Sequence, residues 1–393
     1  MWKKTGAILA GGIGGVLIFA SLASALNING YTPARHNRFS SGYPSAPIAN
    51  TDPTFIGLGY DWSGVGWNAA DPNQSFALLG PRFFLYARHY SPGVGATLQF
   101  TPSDGEINSY TVQALSGALI SGSDLAVGKF TAPIPETDNI HPYSILFLGY
   151  DTSITSPYHA SNYTNLLLYG WTARIGWNQL TNILPPNYFS GDQGYYFDYP
   201  FDTTTPDRAK LVGGDSGSPT FIVTGTPGEM YLAGDHYAVY QDGTGGIDSF
   251  LALELPQISG YMAQWGYLPY VVTPVTAIWT SSGSSSWGIG SNWSPTGVPA
   301  DVLTEGKVTT TASVLFDGSA TLQRNINLGA NRTVTSITFA NAPGANAFTI
   351  VAGNTLTLGE AGLTNNDDDV QTLACSITLR SSQRWDVGQG GLA

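Results

Sequence analysis

From Phe55 to about Val272 the chain is cut into short apolar runs, among them Thr54-Phe55-Ile56-Gly57-Leu58, Phe76-Ala77-Leu78-Leu79, Ala96-Thr97-Leu98-Gln99-Phe100 and Ser144-Ile145-Leu146-Phe147-Leu148. Gly, Pro, Asn and Asp punctuate them at short intervals, before a helical period can establish itself. Runs of this length, rich in β-branched and aromatic residues, fill strands joined by tight turns. The expected fold class is all-β, a sandwich or a barrel. One segment departs from the rhythm: Leu255, Ile258, Met262 and Trp265 recur every three or four residues and predict a terminal helix. With only 11% charged residues and 48 glycines, the chain has little material for long solvated helices.

The first 25 residues have the order of a secretory signal peptide: basic Trp2-Lys3-Lys4, a mostly apolar stretch from Gly6 to Leu22, and a small-residue cleavage site at Ala23-Ser24-Ala25. Gly11, Gly12, Gly14 and Gly15 within that stretch argue against a retained membrane anchor. The product is expected to be secreted or held at the cell surface. No later segment reaches the roughly 20 continuous apolar residues that cross a bilayer. The formal net charge of −12 falls by two more once Lys3 and Lys4 leave, which excludes nucleic acid as a partner.

Residues 26–52 are rich in Asn, Pro, Ser and Gly without periodicity and read as a linker or short propeptide. The composition changes again between Pro269 and Pro274. Residues 53–272 therefore form one domain and residues 273–393 another region, in line with about two or three domains for this length. The second region is Thr-, Asn- and Gly-rich. Apolar and polar residues alternate in Val334 to Phe339, Phe348 to Val351, Leu356 to Leu358 and Ile377 to Leu379, with Gly-Asn or Ala-Asn turns between them. Strands recurring about every 20 residues predict a short β-solenoid, parallel β-helix-like, in which each rung buries its neighbour; three rungs are few, so the region is expected to be incomplete. Cys375 is the single cysteine, so no intramolecular disulfide can form; it reads as a small apolar strand residue.

The stretch with the most chemistry is Gly213-Gly214-Asp215-Ser216-Gly217-Ser218-Pro219. A serine hydroxyl attacks only when a base removes its proton and backbone N–H groups meet the oxyanion that develops. Glycines on both sides permit a tight turn that aims successive N–H groups at one point, here those of Gly214 and Ser216. The heptapeptide resembles the G-D-S-G-[GS]-P signature of the chymotrypsin-like serine proteases. Upstream, an apolar strand, a turn and a second strand lead to Ala87-Arg88-His89, similar to the pair that delivers that family's His, although Arg88 replaces the usual small residue. Between them, Ser123-Asp124-Leu125-Ala126-Val127-Gly128-Lys129-Phe130 resembles the strand that begins with the family's buried Asp.

The resemblance implies a two-barrel chymotrypsin-like protease domain over residues 53–272. His89 would be the general base, Asp124 its orienting carboxylate and Ser216 the nucleophile, in the family's order along the chain. Asp215 would shape the oxyanion loop. In the animal digestive members a newly cut N-terminus pairs with this Asp, but no Ile-Val-Gly-Gly start is found here. The resemblance also implies a specificity pocket lined by Lys210 to Gly213 and Ala233 to Val239, with Lys210, His236 and Tyr237 as candidate residues. Gly234-Asp235-His236 is similar to the Gly-x-His of the glutamyl endopeptidases, and with Lys210 it points to an acidic substrate side chain, against which Asp235 works.

An α/β-hydrolase elbow is disfavoured because Ser218 stands where its second Gly belongs. Asp367-Asp368-Asp369 reads as an exposed turn rather than a Ca²⁺ site, and His36, His141 and His159 lack the partners of a zinc site. Trp279, Trp287 and Trp293 could form a sugar platform. However, Trp287 through Asn292-Trp293 to Gly297-Val298-Pro299 resembles the start of autotransporter-associated β-strand repeats, as do Asn325 to Phe339 and Ile377 to Asp386, which implies a solenoid cap. The combined expectation is a secreted serine endopeptidase acting on protein or peptide substrates, without cofactor or metal, attached through its repeats to a cell surface or outer membrane. The alternative is a surface adhesin or binding protein with an inactive protease fold.

Overall fold

The computed structural model describes residues 25–102, 105–148, 158, 164–224, 228–240, 242–281, 283–294, 309–318, 323–341, 347–379, 383–388 and 390–393. The signal-peptide expectation, apart from Ala25, lies outside these residues, as do His159 and Gly297-Val298-Pro299. Among the described residues strands dominate. Among these residues, the one helix of more than four is Leu255–Ala263, which buries Leu255, Ile258 and Met262. Trp265, expected on the same face, falls beyond the helix and is 45% exposed; its ring instead lies 3.1 Å from the Lys129 ammonium. The chain divides into two compact units, Met1–Pro269 and Tyr270–Ala393.

The first unit begins with a closed six-stranded antiparallel barrel. Its strands, in spatial order, are Val65–Asn68, Ser75–Gly80, Phe83–Ala87, Leu125–Phe130, Asn108–Leu115 and Thr97–Phe100. Phe76, Leu78, Phe84, Tyr86, Leu98, Phe100, Val112 and Phe130 fill its interior, as the alternation of side chains along a closed sheet requires. A seven-stranded antiparallel sheet follows, ordered Arg174–Gln179, Asn165–Gly170, Pro219–Val223, Met230–Val239, Gly245–Ser249, Tyr196–Pro200 and Asn182–Leu184. It curls back on itself: Asn178 on the first of these strands donates to Pro200 O on the sixth, at 2.8 Å.

Residues 26–52, expected as a linker or short propeptide, are packed into this unit. Leu26, Ile28 and Phe39 are buried, and so are His36 and Arg38. Asn27–Ile28 pairs with Ala209–Lys210, and Asp207 receives Arg35 through two short bonds of 2.6 and 2.5 Å and His36 Nε2 at 3.0 Å. The segment lacks periodicity because its apolar residues dock one at a time onto distant chain rather than forming one face.

In the second unit the strands Tyr270–Trp279, Thr309–Phe316, Arg332–Phe339, Thr355–Asn365 and Ser376–Leu379 pair in that order, all parallel. The short strands Asn325–Ile326, Thr349–Ile350 and Thr372–Leu373 form a second parallel ladder. Val314 pairs with Ile337 and Val334 with Leu358, steps of 23 and 24 residues. Trp279, Trp287 and Trp293 are at most 2% exposed, with Trp293 edge-on to both of the others, so they form core and offer no platform to a sugar. Cys375 is buried at a bend between two strands, not within one, and burial raises its thiol pKa.

Candidate active site

His89 and Asp124 come from adjacent barrel strands. His89 sits in the 3-10 turn Arg88–Tyr90 that follows Phe83–Ala87, and Asp124 immediately precedes Leu125–Phe130, where Ala87 pairs with Leu125. Ladder pairing thus brings the two together across 35 residues. Arg88 N–H donates to Asp124 O at 2.8 Å, and His89 N–H to Asp124 Oδ1 at 2.8 Å. The other carboxylate oxygen lies 2.5 Å from His89 Nδ1. Ser216 arrives from the second sheet, in the turn before Pro219–Val223, and its Oγ lies 2.8 Å from His89 Nε2. With Nδ1–H donated to Asp124, Nε2 carries the lone pair that accepts the serine proton.

The turn carrying Ser216 is held from both sides. Asp215 N–H donates to Val212 O at 3.1 Å, with Gly214 at φ +108°, the left-handed backbone that the third position of a type II turn demands. Gly217 N–H donates to His236 O at 3.1 Å, fixing the turn to the strand Met230–Val239. Among the described residues, the amides of Gly214 and Ser216 are engaged by no other group, which leaves both for an incoming oxygen.

Beneath the turn, the fully buried Asp215 accepts N–H groups from Val212 at 2.8 Å and Trp171 at 3.1 Å. A third comes from Leu26, which is itself fully buried. Burial pushes the Asp215 pKa up to about 6, against the lowering effect of His236 and these donors. Although no Ile-Val-Gly-Gly start is found here, this carboxylate is reached by backbone from near the N-terminus.

Two cavities flank the three residues. One, of about 630 Å³, borders Ser216, Gly213, Tyr237 and Tyr240; the other, of about 320 Å³, borders His89, Arg88, Phe189 and Tyr237. Tyr237, stacked on Tyr196 at 4.8 Å, forms part of both walls. Of the expected acid-binding pair, His236 lines the larger cavity and Lys210 does not. His236 is 1% exposed, with Nδ1 3.0 Å from Asp248 and Nε2 2.8 Å from Tyr169 O. Both ring nitrogens face acceptors, the bonding of an imidazolium. Burial works to lower its pKa, but the Asp248 charge and hydrogen bond outweigh this and raise it. The Lys210 ammonium is 3.4 Å from Gly243 O and 4.7 Å from the centre of the Phe201 ring, away from the cavity lining. Asp235 is also buried and outside that lining; burial, and then the nearby charge of Asp124, raise its pKa well above the ordinary range.

Leu26, Trp171 and Asp248 support the site and were not singled out from sequence. Their partners lie 12 or more residues away, and the one local signal was the cleavage motif that ends immediately before Leu26. Elsewhere, the acidic oxygens of Asp367, Asp368 and Asp369 lie within 4.8 Å of one another. Asp367 is buried rather than exposed, and its Oδ1 accepts Asp369 N–H at 2.9 Å within a bend of the chain.

No known protein family and no curated protein matches the sequence. Among solved structures, a mutant of human heparin binding protein (CAP37) is similar to 53% of this chain over 95% of its own length, at 13% identity and a TM-score of 0.39. A likeness of that size carries no weight for function.

Proposed function

We propose that the chain is a secreted serine endopeptidase with a chymotrypsin-like two-barrel domain, followed by a short β-solenoid of the autotransporter-associated type that displays it or attaches it to a surface. The observation that carries the reading is the continuous hydrogen-bonded path from buried Asp124 through His89 to Ser216 Oγ, at 2.5 and 2.8 Å. Its members come from two different sheets and stand beside a cavity with two amides that no other described group engages. The parallel ladders with steps of 23 and 24 residues support the solenoid part.

In this reading Ser216 Oγ attacks a peptide carbonyl carbon while its proton moves to His89 Nε2. The carbonyl oxygen takes the negative charge and is met by the N–H groups of Gly214 and Ser216. As the C–N bond breaks, His89 returns the proton to the leaving amine, and an ester to Ser216 remains. Water then attacks that ester with His89 again as base, releasing the acid and restoring the serine. Asp124 stays ionised and stabilises the transient imidazolium.

The test is labelling of the processed protein with a fluorophosphonate. Stoichiometric labelling at Ser216 that disappears in Ser216→Ala and falls by at least a thousandfold in rate in His89→Ala is expected. A folded, processed protein that does not label would instead be a binding protein on an inactive protease fold.

A further inference from the structure

The larger cavity borders the nucleophile. A carbonyl attacked by Ser216 Oγ must lie against the Ser216 turn, and the cavity is bordered by Ser216 and Gly213 themselves. The side chain able to enter it belongs to the residue bearing that carbonyl, one bond from the backbone. The walls are mostly apolar or aromatic: Leu211, Val212, Tyr237, Ala238, Val239 and Tyr240.

Of the ionisable groups that line or approach this space, Asp215, His236, Lys210 and Tyr240 are already committed. Asp215 is buried under three backbone N–H donors, and both His236 nitrogens are bonded. The Lys210 ammonium rests against Gly243 O and the Phe201 ring. The Tyr240 hydroxyl donates to Asp198 at 2.8 Å. A charged side chain placed here would lose its water, and the one cationic ring that borders the space, His236, is already paired with Asp248. An aromatic or long aliphatic one would exchange water for apolar wall, and about 630 Å³ leaves room for the largest side chains.

We infer that this protein cleaves after large apolar residues, with Phe, Tyr, Leu or Met contributing the attacked carbonyl, and that it discriminates against Glu, Asp, Lys and Arg there. The inference rests on the protease reading. Burial of a whole Phe side chain predicts a kcat/KM about 10- to 100-fold above that for Ala.

The experiment uses one peptide series that varies only this residue through Phe, Leu, Ala, Glu and Lys, with the active enzyme counted by fluorophosphonate titration. The expected order is Phe and Leu above Ala, with Glu and Lys lowest, and Lys210→Ala leaves the order unchanged. A preference for Glu that Lys210→Ala abolishes would overturn the inference, as would fastest cleavage after Ala or Lys, while titratable Ser216 kept the protease reading intact. Absence of labelling would remove that reading, and the inference with it.

Discussion

Asp124 holds two N–H groups at once, the backbone of His89 and its ring, so its replacement by Asn would leave the packing and spoil the tautomer. Asp124→Asn is expected to lower kcat on the order of 10⁴-fold at neutral pH with little change in melting temperature, read from steady-state kinetics beside a thermal melt. Glu254 presents the opposite case, a buried carboxylate whose pKa burial pushes up to about 7 while it accepts Tyr195 N–H at 2.6 Å. Its folded pKa lies above the unfolded one, so its contribution is complete below about pH 4.5 and is lost as pH rises through about 7. Glu254→Gln keeps an acceptor for Tyr195. It should therefore be more stable than the wild type at pH 8 by up to about 3 kcal/mol, and equally stable at pH 4, read from denaturant unfolding. At this scale the juxtaposition of His89, Asp124 and Ser216 was legible because each sits in a local motif. Lys210 and His236 were not, because what decides their roles is Gly243, Tyr169 and Asp248, brought in by the sheet from elsewhere in the chain.

Among elements, the strand Met230–Val239 links the site to the sheet, with one neighbour on each side. A Cβ on its Gly234 would stand 1.9 Å from Ser249 O, a backbone atom that cannot yield without breaking the pairing. Gly234→Ala is expected to destabilise the first unit by roughly 2–4 kcal/mol and to depress activity through His236 and Gly217, checked by denaturant unfolding and labelling together. In the second unit, Trp287→Ala would remove one of three interlocked rings and cost about 3–5 kcal/mol, visible as a lower midpoint of its unfolding. Strand content and the helix at Leu255–Ala263 were readable because apolar spacing reports which face is buried. The packing of residues 26–52 was not, since single anchors such as Ile28 and Phe39 leave no period. Register and parallel direction are likewise absent from any one strand, and the expected spacing of about 20 residues falls short of the observed steps of 23 and 24.

For the molecule as a whole, the proposed cut after Ala25 matters because Leu26 is where the chain meets Asp215. Cleavage there would turn a neutral N–H into an ammonium facing a buried carboxylate. That would draw the carboxylate pKa below about 6 and exchange a neutral hydrogen bond for a charge-assisted one. Without that charge, the raised pKa makes Asp215 a contribution that fades as pH rises through about 6. Protein beginning at Leu26 should be more active at pH 8 than the same chain with one extra residue in front, read from fluorophosphonate labelling rates. Its advantage in melting temperature should shrink toward pH 5.

The parallel ladder of Tyr270–Ala393 sets a different rule, one of reach. Neighbouring strands stand about 4.8 Å apart, so each step of 23 residues, as from Val314 to Ile337, advances the stack by that small distance, where the same residues drawn out straight would span about 75 Å. Such a stack is costly as a tether and stiff as a ruler. Its length changes in whole rungs, because an insertion that shifts a strand by one residue turns its buried side chains out to water.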